Sequence, residues 1–157
     1  MCSLINIRSI RYEDIDSICE IMTSIEPYTI LGYTKDQCSE LILASVEEGW
    51  GVVAEINGDI VGFIVFRVFD GFPLGGYIRA IGVDPRYRSM GIGSSLLSYA
   101  ENIIFKYRKN IFLLVSSFNS GAIEFYKKRG YQVVGVIKDA VIKGADEIIM
   151  RKALSKS

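Results

Sequence analysis

The sequence predicts one α/β domain built around a mixed sheet, and three observations lead there. Apolar residues repeat with period two in some stretches and with helical period in others, and the stretches follow one another in the order βααβββαβαββ. Half of the 157 residues are hydrophobic and 23% are charged, enough for one substantial core. No Ser/Pro-rich linker, internal repeat or low-complexity segment interrupts the chain, so residues 1–157 read as a single domain.

Each element has its own signal. "SLINIRSI" (3–10) alternates and reads as a strand. "RYEDIDSICEIMTSI" (11–25) puts Ile15, Ile18, Cys19, Met22 and Ile25 on one helical face, and Pro27 and Gly32 end that helical pattern. Thr34 then caps a helix over "KDQCSELILASVEEG", with Asp36 in its first turn and Gly49 after its end. "WGVVAEINGDIVGFIVFRVF" (50–69) reads as two strands around the hairpin signal Asn57-Gly58. "DGFPLGGY" (70–77) reads as a turn and "YIRAIGVD" (77–84) as a strand stopped by Pro85. A helix is expected over 94–110, an all-apolar buried strand over 111–117, and a helix over 120–130 ended by Gly130. Strands at 131–137 and 147–154 close the chain, joined by "KDAVIKGAD".

Composition excludes several classes. Eighteen basic residues balance eighteen acidic ones, which argues against a duplex-DNA binder. With no histidine, a His-based metal site, a Ser-His triad and a Cys-His pair are ruled out. Cys2, Cys19 and Cys38 show no ligand-like spacing and suit a reducing cytoplasm. The N-terminus meets charge after a short apolar run, unlike a signal peptide, and no apolar run approaches membrane-spanning length. The expectation is a cytoplasmic protein with no nucleic-acid, membrane or metal partner.

The segment "RYRSMGIGSSLL" (86–97) carries the chemistry. It comes after a strand and opens a helix whose first N–H groups lack internal partners and whose dipole end is positive. Gly91 and Gly93 lack Cβ and let an anion approach the backbone, while Arg88, with Arg86, can add charge. A dinucleotide fingerprint would need a third glycine where Leu96 stands and an acidic residue after the next strand, where "SSFN" stands. A Walker loop would need Gly-Lys-Ser/Thr, which is absent.

R-x-x-G-x-G after "IGVDPRY" resembles the acetyl-CoA loop of the GNAT superfamily of N-acetyltransferases, and "NSGAIEFYKKRGY" (119–131) resembles that family's second signature. The likeness covers essentially the whole chain and is strongest over 77–131. It implies a mixed, mostly antiparallel twisted sheet flanked by helices. It also implies acetyl-CoA as co-substrate, with the Ile81-Gly82-Val83 main chain holding the pantetheine arm. Amides of Ser89, Met90, Gly91, Ile92, Gly93 and Ser94 would cradle the pyrophosphate behind Arg88. Asn119 would contact the cofactor, and Tyr126 would stand beside the thioester sulfur.

The implied reaction is attack by an amine on the acetyl thioester in a ternary complex. Tyr126 can protonate the leaving thiolate, because a phenol of pKa near ~10 keeps its proton at neutral pH. An N–H at Ile81 could face the carbonyl oxygen. The base departs from the family pattern: Arg79 and Leu114 stand where members often carry a carboxylate. Glu26, in the 26–36 loop, or a water chain is left for that role. The demand on a base is smaller for an α-amine, of pKa about 7.7–8.0, than for lysine at about 10.4. Tyr28, Tyr33, Phe72 and Tyr77, together with the 138–146 connection, are the candidates for acceptor recognition, and exposed apolar loops allow a homodimer. The rival reading is a non-catalytic acyl-CoA-binding or sensing domain that keeps the loop and lacks the chemistry. A nicotinamide oxidoreductase is more distant.

Overall fold

The computed structural model describes residues 4–155. The elements are β1 (Asn6–Ser9), a 3-10 turn (Tyr12–Asp14), α1 (Ile15–Met22), α2 (Tyr28–Leu31), α3 (Lys35–Glu48), β2 (Gly51–Ile56), β3 (Asp59–Gly71), β4 (Gly75–Val83), a second 3-10 turn (Pro85–Tyr87), α4 (Ile92–Tyr107), β5 (Asn110–Ser116), α5 (Ser120–Lys128), β6 (Gln132–Ile137) and β7 (Glu147–Ala153). The seven strands form one mostly antiparallel sheet in the order β1-β2-β3-β4-β5-β7-β6, flanked by helices. β4 and β5 are parallel, and their pairing runs from Gly76–Ile111 to Ile78–Leu113.

The chain divides into two compact units, and β3 and β4 continue from one into the other. The first comprises residues up to Phe66 with Ala80–Glu101. Its core joins Ile18, Met22 and Ile25, from α1 and the turn after it, to Ile42 of α3 and to Val53, Phe63 and Val65 of the sheet. Helix α3 starts where sequence chemistry places it. The Thr34 hydroxyl accepts from the Gln37 N–H, and the Gln37 side chain accepts from the Thr34 N–H. Asn57 (φ 52°) and Gly58 (φ 83°) supply the left-handed turn between β2 and β3. At the open end of β1, Asp14 accepts a two-pronged hydrogen bond from Arg8 at 2.7 and 3.0 Å, and Arg8 also pairs with Glu55 at 3.2 Å.

The second unit comprises Arg67–Arg79 and the chain from Asn102 onward. Strand β7 pairs antiparallel with β5 on one side, Asn110–Ala153 through Ser116–Glu147, and with β6 on the other. Ile111, Leu113 and Val115 of β5, Met150 of β7 and Tyr131 are buried.

Three local expectations are corrected. A single helical turn, α2, forms where the sequence shows only a helix break: Gly32 at φ 76° closes it, and the Leu31 N–H reaches the Pro27 carbonyl at 2.9 Å. The 70–77 turn contracts, because β3 runs to Gly71 and β4 starts at Gly75. Within that strand, position 75 must be glycine, because the backbone of Asn110 lies where a β-carbon would stand. Finally, Cys19 of α1 and Cys38 of α3 form a disulfide in the first core, with Cα atoms 5.7 Å apart. The loop it closes, with a separation of 19 residues, corresponds to about 3 kcal/mol in the chain-entropy account. Spacing along the sequence could not show this, because the pairing is set by the packing of two helices. Cys2 lies outside the described residues.

Candidate active site

In the first unit, the end of β4 and the start of α4 form the anion-directed turn. Asp84 is buried, and its N–H reaches the Val61 carbonyl of β3 at 2.8 Å. Its carboxylate accepts from the Arg86 amide at 3.0 Å and from the Arg86 guanidinium at 3.2 and 2.8 Å. The hydrogen bond from the Arg86 side chain is the main reason the Asp84 carboxyl is held below the usual carboxylate range. Arg86 is therefore committed to the turn itself. Arg88 is exposed and holds no ion pair among the described residues, so it is the free cation of this loop.

Beyond it, Ser89 (φ 66°) and Gly91 (φ 78°) take left-handed backbone. A β-carbon at Gly91 would meet nothing within 4 Å, so its glycine serves the backbone conformation and not the space. Ile92, the first residue of α4, is 1% exposed and anchors the helix start, with Leu96, Leu97 and Ala100 behind it. The amides of Gly91, Ile92 and Gly93 donate to no protein acceptor among the described residues, as the first turn of a helix requires. Such a turn presents three N–H groups and the positive helix end to an anion.

The Ile81 main chain, expected to face the thioester, already has a partner. Its N–H donates to the Tyr28 hydroxyl at 3.2 Å, and that hydroxyl donates to the Ile81 carbonyl at 3.0 Å. Tyr28 stands edge-on to Tyr33, ring centroids 5.5 Å apart, and both pack against the first core. Glu26 is exposed and makes no hydrogen bond or ion pair among the described residues.

In the second unit, Asn119 caps α5: its side-chain oxygen accepts from the Ala122 N–H at 3.2 Å, and its own N–H reaches the Ser116 carbonyl at 2.9 Å. The cap orients the helix that carries Tyr126. Tyr126 is 6% exposed and is wedged edge-on between Phe125 (5.3 Å) and Tyr131 (5.5 Å). Its carbonyl accepts from the Arg129 and Tyr131 amides, which closes the helix end. The four aromatic candidates for acceptor recognition fall into separate groups. Tyr28 and Tyr33 pair in the first unit, whereas Phe72 stacks edge-on to Phe112 in the second, at 5.1 Å, and Tyr77 pairs with Phe112 in strand register.

One group was missed by sequence reasoning. Glu147, the first residue of β7, is 7% exposed. Its Oε1 accepts from the Ser116 hydroxyl at 3.1 Å, and its Oε2 is buried without a hydrogen-bond partner among the described residues. Burial pushes its carboxyl above the usual range, and the Ser116 bond opposes the shift. In the sequence it comes directly after Asp146 at the edge of a polar loop and looks solvated. The available signal was that Ser116 and Glu147 end facing strands, which becomes visible only once β5 and β7 are paired.

Among the described residues no helix is long and apolar enough to cross a membrane, and no cluster of three or more His, Cys, Asp or Glu could hold a metal ion.

Comparison with known proteins identifies the family. The acetyltransferase (GNAT) family matches residues 15–131. An N-alpha-acetyltransferase of Sulfurisphaera tokodaii is 29% identical over 164 residues, covering 94% of this chain and 92% of that protein. The N-alpha-acetyltransferase 50 of Danio rerio is 35% identical over 82 residues, and the match spans about half of each, 50% of this chain and 49% of that protein. The crystal structure of Ard1 from Thermoplasma volcanium superposes with a TM-score of 0.82 at 27% identity, covering 97% of this chain and 99% of that one. The chain belongs to the GNAT acetyltransferase family and is an acyltransferase.

Proposed function

We propose that this enzyme transfers the acetyl group of acetyl-CoA to a primary amine by direct attack in a ternary complex, and that the amine is the α-amine of a protein N-terminus or of a small molecule. Acetyltransferases of this family use acetyl-CoA. The observation that carries the reading is the β4–α4 turn: three unpartnered amides at Gly91, Ile92 and Gly93 beside the uncommitted Arg88 suit a pyrophosphate. The N-alpha-acetyltransferase relative over nearly the full length favours an α-amine. An α-amine is also the acceptor that needs least help to lose its proton, at pKa about 7.7–8.0.

In this reading the Ile81 N–H stabilises the developing oxyanion after the Tyr28 hydroxyl has withdrawn from it. Tyr126 gives its proton to the departing thiolate and regains one from the attacking nitrogen. The ring contacts on both sides of Tyr126 fix where its hydroxyl can reach, which favours a positioned acid over a mobile one.

The test is thiol release from acetyl-CoA across amine and peptide acceptors, paired with thermal shifts. Saturation at about a hundred times the dissociation constant adds ~2.7 kcal/mol. In Tyr126→Phe the turnover rate is expected to fall by about a hundredfold or more while the shift with acetyl-CoA is kept. A shift without thiol release for any amine would instead make the chain a non-catalytic acyl-CoA-binding domain. No shift with acetyl-CoA or CoA would remove the cofactor assignment.

A further inference from the structure

We infer that Glu147 is the catalytic base of this enzyme, the group that takes the proton from the acceptor's ammonium before attack. This assignment rests on the acetyltransferase function proposed for the chain. It fills the role for which the sequence offered Glu26 or a water chain; Glu26 lies exposed and unpartnered among the described residues.

The orphan oxygen is the starting observation. A carboxylate oxygen buried without a partner costs about 1–3 kcal/mol, and a fold that needed only the Ser116 bond could obtain it with a neutral side chain. The second oxygen of Glu147 makes no hydrogen bond among the described residues. Its placement supplies a role. Glu147 bonds to Ser116 at the last residue of β5. The carbonyl of that same Ser116 holds the N–H of Asn119, whose side chain caps α5, the helix of Tyr126. The neighbouring residues are tied just as closely: the Ser117 N–H reaches the Asp146 carbonyl at 2.9 Å, and the Asp146 N–H reaches the Ser117 hydroxyl at 3.1 Å. Glu147 and the cap of the helix that carries Tyr126 are thus both held by Ser116, at one strand end. Glu147 also directly succeeds the 138–146 connection, a candidate for acceptor recognition.

The chemistry suits the surroundings. Ser116 faces Glu147 from β5 and Ile137 from β6, and neither titrates. Its neighbour Asp146 accepts from the Asp139 N–H at 3.2 Å, and no charged group contributes to the upward shift of Glu147, which burial causes. A carboxylate raised this way is a stronger base than an exposed one. Atoms and protons balance through the cycle. The ionised carboxylate takes one proton from R–NH3+ and becomes the acid. The free amine attacks, the C–N bond forms and the C–S bond breaks. The thiolate takes the Tyr126 proton, the nitrogen's second proton restores the phenol, and Glu147 returns its proton to solvent.

The test is Glu147→Gln, which keeps an oxygen able to accept from Ser116 and so preserves the purely structural contact. With an α-amine acceptor kcat is expected to fall by at least about a hundredfold. The thermal shift with acetyl-CoA should be unchanged. The acid limb of the rate profile should move up to follow the amine's own ionisation, so that activity recovers at alkaline pH, where the amine is already neutral. Ser116→Ala, which removes the one contact that lowers the Glu147 pKa, should move the acid limb to higher pH. Wild-type turnover in Glu147→Gln with an unchanged profile would overturn the inference while leaving the acetyltransferase reading intact. A wild-type protein that releases no thiol with any amine would overturn that reading, and the inference with it.

Discussion

Asp14, on the turn before α1, is 4% exposed, and Glu147, at the head of β7, is 7% exposed, yet their surroundings could hardly differ more. Both oxygens of Asp14 are in use: Arg8 donates to each of them, and the Arg11 amide donates to Oδ2 at 2.8 Å. The Arg8 hydrogen bond outweighs desolvation and holds the Asp14 carboxyl below its usual range. Among the described residues Glu147 has one hydroxyl partner, one bare oxygen and no cation, so desolvation prevails and its carboxyl rises. Burial alone therefore says little about a carboxylate's role. A buried carboxylate with both oxygens answered ties chain segments together, here β1 and the turn into α1, and through Arg8 also β2. One left half-answered has no such tie at its second oxygen, and desolvation then decides its pKa.

The largest effect expected from breaking this contrast is on Asp14. Asp14→Ala strands Arg8, still paired only with Glu55, and should cost about 3 kcal/mol, a fall in the thermal midpoint of roughly 6–12 °C. Because the folded Asp14 titrates below its ordinary 3.8, the ion pair stabilises fully above that value and is lost as acid protonates it. The gap between variant and wild type should close in acid. A gap independent of pH would assign the loss to packing instead.

Glu147 should behave with the opposite sign. Glu147→Leu removes a half-satisfied buried carboxyl and should raise the midpoint at neutral pH, by about 1 kcal/mol. Its folded pKa lies above the ordinary 4.5, so its contribution to stability is greatest below that value and is lost as pH rises through the raised one. The advantage of leucine should therefore grow with pH, where the advantage of Asp14 over alanine shrinks toward acid. Paired melting curves of the two variants across the acid and neutral range measure both slopes. A destabilised Glu147→Leu would mean that the Ser116 bond is worth more than the orphan oxygen costs.

The smallest effect lies at Ile81, whose amide, like the Glu147 oxygen, is expected to meet substrate, but is already occupied. Tyr28→Phe removes the hydroxyl that bridges the Ile81 N–H and carbonyl. If that hydroxyl competes with the thioester, acetyl-CoA should bind about fivefold more tightly to the variant, the equivalent of ~1 kcal/mol. Unchanged affinity in a calorimetric titration would show that the Ile81 groups do not meet the cofactor.

The features that could be read from the chain are those decided within a few residues. Thr34 caps α3, Asn57-Gly58 makes the hairpin, and the apolar periods place all seven strands and four of the five helices. The glycine turn that opens α4, and the family likeness it carries with the 119–131 segment, belong to the same class, because backbone conformation and helix ends respond to immediate neighbours. Features that join distant residues stayed out of sight: Tyr28 on Ile81, Cys19 on Cys38, Arg8 on Glu55, and Ser116 on Glu147, which is 31 residues away. Whether a carboxylate is a surface charge, a structural tie or a base depends on its solvent exposure and on who answers its lone pairs. Both are set by strand pairing and helix packing, so the amino-acid order determined the elements, the glycine turn that opens α4 and the family, while tertiary structure alone turned Glu147 into a buried group with an oxygen unpartnered among the described residues.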